Sequence, residues 1–102
     1  MKIAPFALVI VLSLFSSLSY AQDAAKGAEL FKQCILCHGD KGDGNVAQKA
    51  PRISGQHDWY ILKQLQDMKA GVTRKNPVMT PFLSKLSEQD MKDLAAYITK
   101  LK

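Results

Sequence analysis

The chain has 102 residues, 47% of them apolar and 23% charged, with a formal net charge of +5. That length is one domain, and the 14 Lys and Arg are scattered without a basic run or interleaved aromatics, so the sequence carries no nucleic-acid-binding footprint. Beyond residue 21 no stretch has the roughly 18 to 20 successive apolar residues needed to span a bilayer.

Residues 1–21 read as an export signal. Lys2 is the positive start, the run from Phe6 to Leu12 is apolar, and Ser19-Tyr20-Ala21 ends in small residues suited to cleavage. A permanent anchor is the competing reading, but Ser13 and Ser16-Ser17 break the apolar run well short of a spanning length. Cleavage after Ala21 is expected, which leaves a single domain over residues 22–102, delivered to the periplasm without stable membrane insertion. Once Lys2 is lost, 13 Lys and Arg face 9 Asp and Glu. Such a balance suits a solvated surface with at most a mild preference for acidic partners.

About 80 residues is near the size where an apolar core alone gives only marginal stability, so a staple is expected. The two cysteines, Cys34 and Cys37, are too close in sequence for a disulfide between them to restrain much unfolded chain. A large prosthetic group would serve better.

In chain order, three helices and no strand-like alternation are predicted, an all-α class. The first starts at Asp23, a good N-cap, and runs through Gly27 and Phe31 to about Cys34, with Gly39 and Gly42 ending it. A glycine inside a helix costs about 1 kcal/mol relative to alanine, so Gly27 implies that another backbone or ring packs closely there. The second helix spans about Gln56 to Ala70, with Ile61, Leu65 and Met68 on one side and Gly71 as its stop. The third starts from Ser87, with Asp90 completing a capping-box pattern, and repeats Met91, Leu94, Ala95, Ile98 and Leu101 at helical spacing. Between them lie irregular segments over residues 39–54 and 72–86, long enough to require a ligand or function to wrap.

Chemistry concentrates in Cys34-Ile35-Leu36-Cys37-His38. Two thiols one helical turn apart suit thioether formation with the two vinyl groups of a porphyrin, and the adjacent His38 then reaches the iron. Three other uses of the same residues each lack something. A redox dithiol belongs beside a βαβ pattern, a zinc site needs four ligands while only His57 remains, and a plain disulfide has no need of His38. Asp40, Asp43 and Asn45 lack the spacing and closing Glu of a calcium loop, and Gly42 and Gly44 read as turn residues.

With these residues stand Gly42-Asp43-Gly44-Asn45, the run from Pro51 to His57, Tyr60, Gln64-Leu65, a methionine before the last helix, and Leu86-Ser87 leading to Ala95-Ala96-Tyr97. Together they resemble a class I cytochrome c of the small bacterial c553 and c4-like type, over almost all of residues 22–102. The resemblance implies three main helices and long loops wrapped around one covalently bound haem c. It also implies that the first and last helices cross closely, setting Gly27 and Phe31 against Leu94 and Tyr97.

Cys34 and Cys37 are then the covalent attachment points and His38 the proximal iron ligand. The distal candidates are Met68, Met79, Met91 and His57. Met68 and Met91 fall on the apolar stripes of helices and read as core. Met79 lies in Asn76-Pro77-Val78-Met79-Thr80-Pro81, where two prolines restrict the backbone, and the family's distal methionine occupies this kind of loop. Met79 is therefore the expected distal ligand, with His57 as the bis-His alternative. The resemblance further assigns the carbonyl of Pro51 to the second ring nitrogen of His38, and Arg52 or Trp59 to a haem propionate.

The expected function is a monomeric periplasmic one-electron carrier and not an enzyme. Its partners would be redox proteins such as a membrane cytochrome complex, a terminal oxidase or a periplasmic reductase or dehydrogenase. The alternatives are a small-molecule-binding or peroxidase-like haem module with an open or displaceable sixth site, and a dithiol exchange protein.

Overall fold

Asp23 opens the first helix, its Oδ1 accepting from the backbone N–H groups of Ala25 (3.0 Å) and Lys26 (3.2 Å). This pairs two of the donors that a helix start leaves unsatisfied. In the computed structural model, which describes residues 22–102, that helix is α1, Ala24–Phe31, followed by α2, Ile35–His38, α3, Asp58–Ala70, α4, Thr80–Leu83, and α5, Glu88–Ile98. The expected export signal over residues 1–21 lies outside the described residues.

The first helix is shorter than the periodicity predicts. The Cys34 N–H donates to the Phe31 carbonyl at 2.8 Å, a three-residue step, and the His38 N–H then starts a new four-residue step onto Cys34 at 2.9 Å. That tightening ends α1 and redirects the chain. Neither Gly nor Pro marks the break, so the sequence reads through it. α3 starts two residues later than predicted because His57 is extended, at φ −65° and ψ 143°, and it stops where expected, on Gly71 in the left-handed conformation at φ 67°. The capping box of α5 is complete: Ser87 accepts from the Asp90 N–H, and Asp90 accepts from the Ser87 N–H.

α4 was not anticipated. It is a single turn with Pro81 near its start, where a missing N–H costs nothing. Among the described residues the only bridge of strand type joins Asn45 and Ala50, in keeping with the all-α class.

α1 and α5 cross at Gly27. A Cβ placed there would meet the Asp93 carbonyl carbon at 2.7 Å and the Tyr97 Cβ at 2.8 Å, so only glycine allows the approach. One turn on, the rings of Phe31 and Tyr97 lie 5.3 Å apart. The unfavourable glycine of the sequence thus has its physical cause. Ile61, Leu65 and Met68 turn the buried face of α3 towards the same core, which Leu83, Leu86, Leu94 and Ile98 complete.

Asp93 is 2% exposed inside this contact. Its Oδ1 accepts from the Asp23 N–H at 2.8 Å and the Gln89 amide at 2.9 Å, tying the start of α1 to α5. No described helix is long and apolar enough to cross a membrane.

Candidate haem site

The break between α1 and α2 turns His38 inward, and the residue is 5% exposed. Its Nδ1 lies 2.9 Å from the carbonyl oxygen of Pro51, which can only accept. Nδ1 therefore carries the proton, and Nε2 keeps the lone pair with which an imidazole binds a metal.

Pro51 reaches His38 because the glycine turn permits it. Gly44, at φ 86°, donates its N–H to the His38 carbonyl at 2.8 Å. A Cβ on Gly44 would lie 2.7 Å from the Ala50 carbonyl oxygen and the Arg52 nitrogen, and 2.8 Å from the Pro51 carbonyl carbon. Gly42 holds the next residues, its carbonyl accepting from Ile53 (2.9 Å) and Ser54 (3.1 Å). The two glycines thus lay residues 50–54 alongside the motif.

A cleft of about 450 Å³ opens in front of these residues, within the roughly 300–1,000 Å³ of sites that take cofactor-sized molecules. Cys34, Cys37, His38, Pro51, Arg52 and Met79 all line it. The buried back of the cleft is apolar, formed by Ile61, Leu65, Leu94 and Ile98. Met79 precedes α4 and packs half-buried against the core.

Cys34 and Cys37 are not joined to each other in a disulfide. Burial, with Cys37 adding to it, pushes the Cys34 thiol up to about 11. An exchange dithiol needs the opposite shift, since the thiolate is its nucleophile. Among the described residues no group of three or more His, Cys, Asp or Glu is placed to hold a metal ion.

The other histidine and the tryptophan lie elsewhere. His57 is exposed and stacks on Trp59 at a centroid distance of 5.9 Å, Trp59 is 63% exposed, and neither lines the cleft. Arg52 does line it, while its Nε donates to the buried Ser54 hydroxyl at 3.0 Å. Met68 also lines the cleft although it sits on the stripe of α3, so it is both core and wall.

Sequence reasoning missed Lys49, Arg74 and Asn76 on the cleft wall. The first two are isolated cations in loops, with nothing local to mark them. Asn76 could have been found, because Asn-Pro is a turn-initiating pair.

The lining fits a haem in kind. It offers two thiols, a free imidazole nitrogen, two thioethers and an apolar back, and its charged residues are Lys49, Arg52 and Arg74 with no carboxylate. Three cations suit the two carboxylates of the group.

Comparison with known proteins points the same way. The sequence is 39% identical to cytochrome c4 of Azotobacter vinelandii over 93% of this chain and 49% of that protein. It is 31% identical to cytochrome c-553 of Nitratidesulfovibrio vulgaris (strain DSM 19637 / Miyazaki F) over 92% of this chain and 97% of that one. The crystal structure of reduced recombinant cytochrome c4 from Pseudomonas stutzeri superposes with a TM-score of 0.74 at 41% identity, covering 80% of this chain and 47% of that one. The chain therefore spans about half the length of the cytochrome c4 relatives and nearly all of the c-553 relative. The cytochrome c family model matches residues 24–102, and the chain belongs to that family, with the class I fold and the covalent haem c that membership implies.

Proposed function

We propose that the protein is a periplasmic one-electron carrier with one haem c, attached through Cys34 and Cys37 and held between His38 and Met79. The observation that carries this reading is the hydrogen bond from His38 Nδ1 to the Pro51 carbonyl, made on the same cleft that Met79 lines. Bound there, the haem supplies a single iron that changes charge by one electron. The residues supply the rest.

Pro51 fixes the tautomer and plane of His38, so Nε2 is presented without rearrangement. Met79 comes from a segment restrained by Pro77 and Pro81, which favours one geometry in both oxidation states. Thioether ligation raises the reduction potential relative to two imidazoles, and the apolar wall of Leu65, Leu94 and Ile98 adds to it by excluding water. Arg52, on the rim, would pair with a propionate. With His38 and Met79 both holding the group, no position would be left for a substrate, and the protein is read as a carrier and not as an enzyme.

Transfer between partners needs a brief encounter. Val78, at 66% exposure, and Phe82, at 43%, line the cleft and offer a small apolar contact of the kind transient redox complexes use. Partners of the class expected are a membrane cytochrome complex, a terminal oxidase or a periplasmic reductase or dehydrogenase, met by a monomer freed of residues 1–21.

The test is the visible spectrum of the oxidised protein with and without Met79→Ala. The weak far-red sulfur-to-iron band should be present in the parent and absent in the variant. Rapid spectral change when carbon monoxide meets the ferrous parent would refute stable Met79 ligation and favour an open-site module.

A further inference from the structure

Asn76 sits between two methionines of the cleft. Its Oδ1 accepts from the backbone N–H groups of Val78 (3.1 Å) and Met79 (3.0 Å), while its Nδ2 lies 3.6 Å from the Met68 sulfur, in donating range. Thr80 closes the same segment from the other side. Its N–H donates to the Asn76 carbonyl at 2.9 Å, and its hydroxyl donates to the Met68 carbonyl at 2.8 Å.

Residues 76–80 are thus fastened to α3 at a single residue, Met68, through both its sulfur and its carbonyl. Pro77 and Val78 are exposed; besides these bonds the segment is held by the Phe82 and Leu83 N–H groups donating to the Met79 carbonyl at 3.0 and 3.1 Å and by the Met79 side chain on the core. Asn76 contacts both ends of the arrangement. One carboxamide arm sets the Met79 backbone, and the other engages the thioether of Met68, which lines the same cleft. A sulfur already accepting a hydrogen bond is a poorer metal ligand.

We infer that Asn76 is the positioning residue of the sixth-ligand segment: it holds the Met79 backbone in place and keeps the neighbouring Met68 sulfur occupied. The inference rests on Met79 being the distal ligand. An unclamped Met79 would leave the iron more often and admit external ligands.

Haem-loaded parent, Asn76→Ala and Asn76→Asp proteins are compared by far-red absorption when oxidised and by the rate of carbon monoxide binding when ferrous. Two net hydrogen bonds of about 1 kcal/mol each, at about 1.4 kcal/mol per tenfold in rate, predict that Asn76→Ala binds carbon monoxide roughly thirtyfold faster. Asn76→Asp keeps the acceptor for both Val78 and Met79, losing only the arm toward the Met68 sulfur, and should stay within about threefold of the parent. If the parent lacks the far-red band, the distal assignment fails and the inference with it. If the parent has the band but Asn76→Ala binds carbon monoxide at the parent rate, the positioning role is refuted even where the variant melts at a lower temperature. Equal acceleration in both variants refutes the backbone clamp.

Discussion

Replacing Gly27 with alanine tests the closest contact in the fold. The added Cβ would meet α5 at the Asp93 carbonyl carbon, 2.7 Å away, and at the Tyr97 Cβ, the fixed root of that side chain, 2.8 Å away. Neither can swing away as a side-chain tip would, so the helices must separate. On an exposed helix the same change would stabilise by about 1 kcal/mol. Here overpacking costs about 3 kcal/mol or more, since a gap of 0.5–1 Å forfeits a quarter to a half of the attraction around Phe31 and Leu94. The net expectation is a loss of about 2 kcal/mol, or roughly 8–16 °C in Tm for a domain of this size. Thermal unfolding of the haem-loaded protein followed by circular dichroism measures it, with exposed Ala25→Gly as the control that should lose only about 1 kcal/mol. A Gly27→Ala protein as stable as its parent would refute the close crossing of α1 and α5.

Gly44→Ala combines a left-handed backbone at φ 86° with contacts of 2.7–2.8 Å on residues 50–52, and should cost about 3 kcal/mol. By displacing the Pro51 carbonyl it should make His38 a weaker donor and raise the reduction potential; an unchanged potential and an unmoved Nδ1–H resonance would refute the linkage. Asp93→Ala strands the Asp23 N–H and the Gln89 amide and should lower stability by about 2–3 kcal/mol, read as a lower urea midpoint at unchanged slope, with Asp93→Asn losing less. Lys49→Glu and Lys75→Glu, both at exposed positions, should slow association with an acidic redox partner and flatten its salt dependence. Rates indifferent to salt in the parent would remove electrostatic steering altogether.

Most of the helical architecture was legible from short-range pattern. Asp23, Ser87 with Asp90, and Gly71 are capping signals whose partners lie within a few residues, so their meaning does not depend on the rest of the chain. The break before α2 was not legible, because the three-residue step from Cys34 to Phe31 leaves helical periodicity almost undisturbed. The turn of α4 was hidden for a related reason: at four residues it is too short to show a period. Trp59 illustrates the limit of reasoning from residue type, since a large aromatic near Arg52 in sequence stands on the outside of α3.

The site divides along the same line. The sequence alone determined which chemistry is available: the thiols and imidazole of residues 34–38 are adjacent, and their spacing already selects a covalently held haem. Tertiary structure decided what surrounds it. The His38 ring meets Pro51 across 13 residues, Asp93 meets Asp23 across 70, and Lys49 reaches the cleft from one loop while Arg74 and Asn76 reach it from another. Such contacts depend on how closely segments approach, α1 to α5 at Gly27 and the turn at Gly44 to residues 50–52, and each approach is set by the absence of a side chain, whose effect appears only when the opposing backbone is in place.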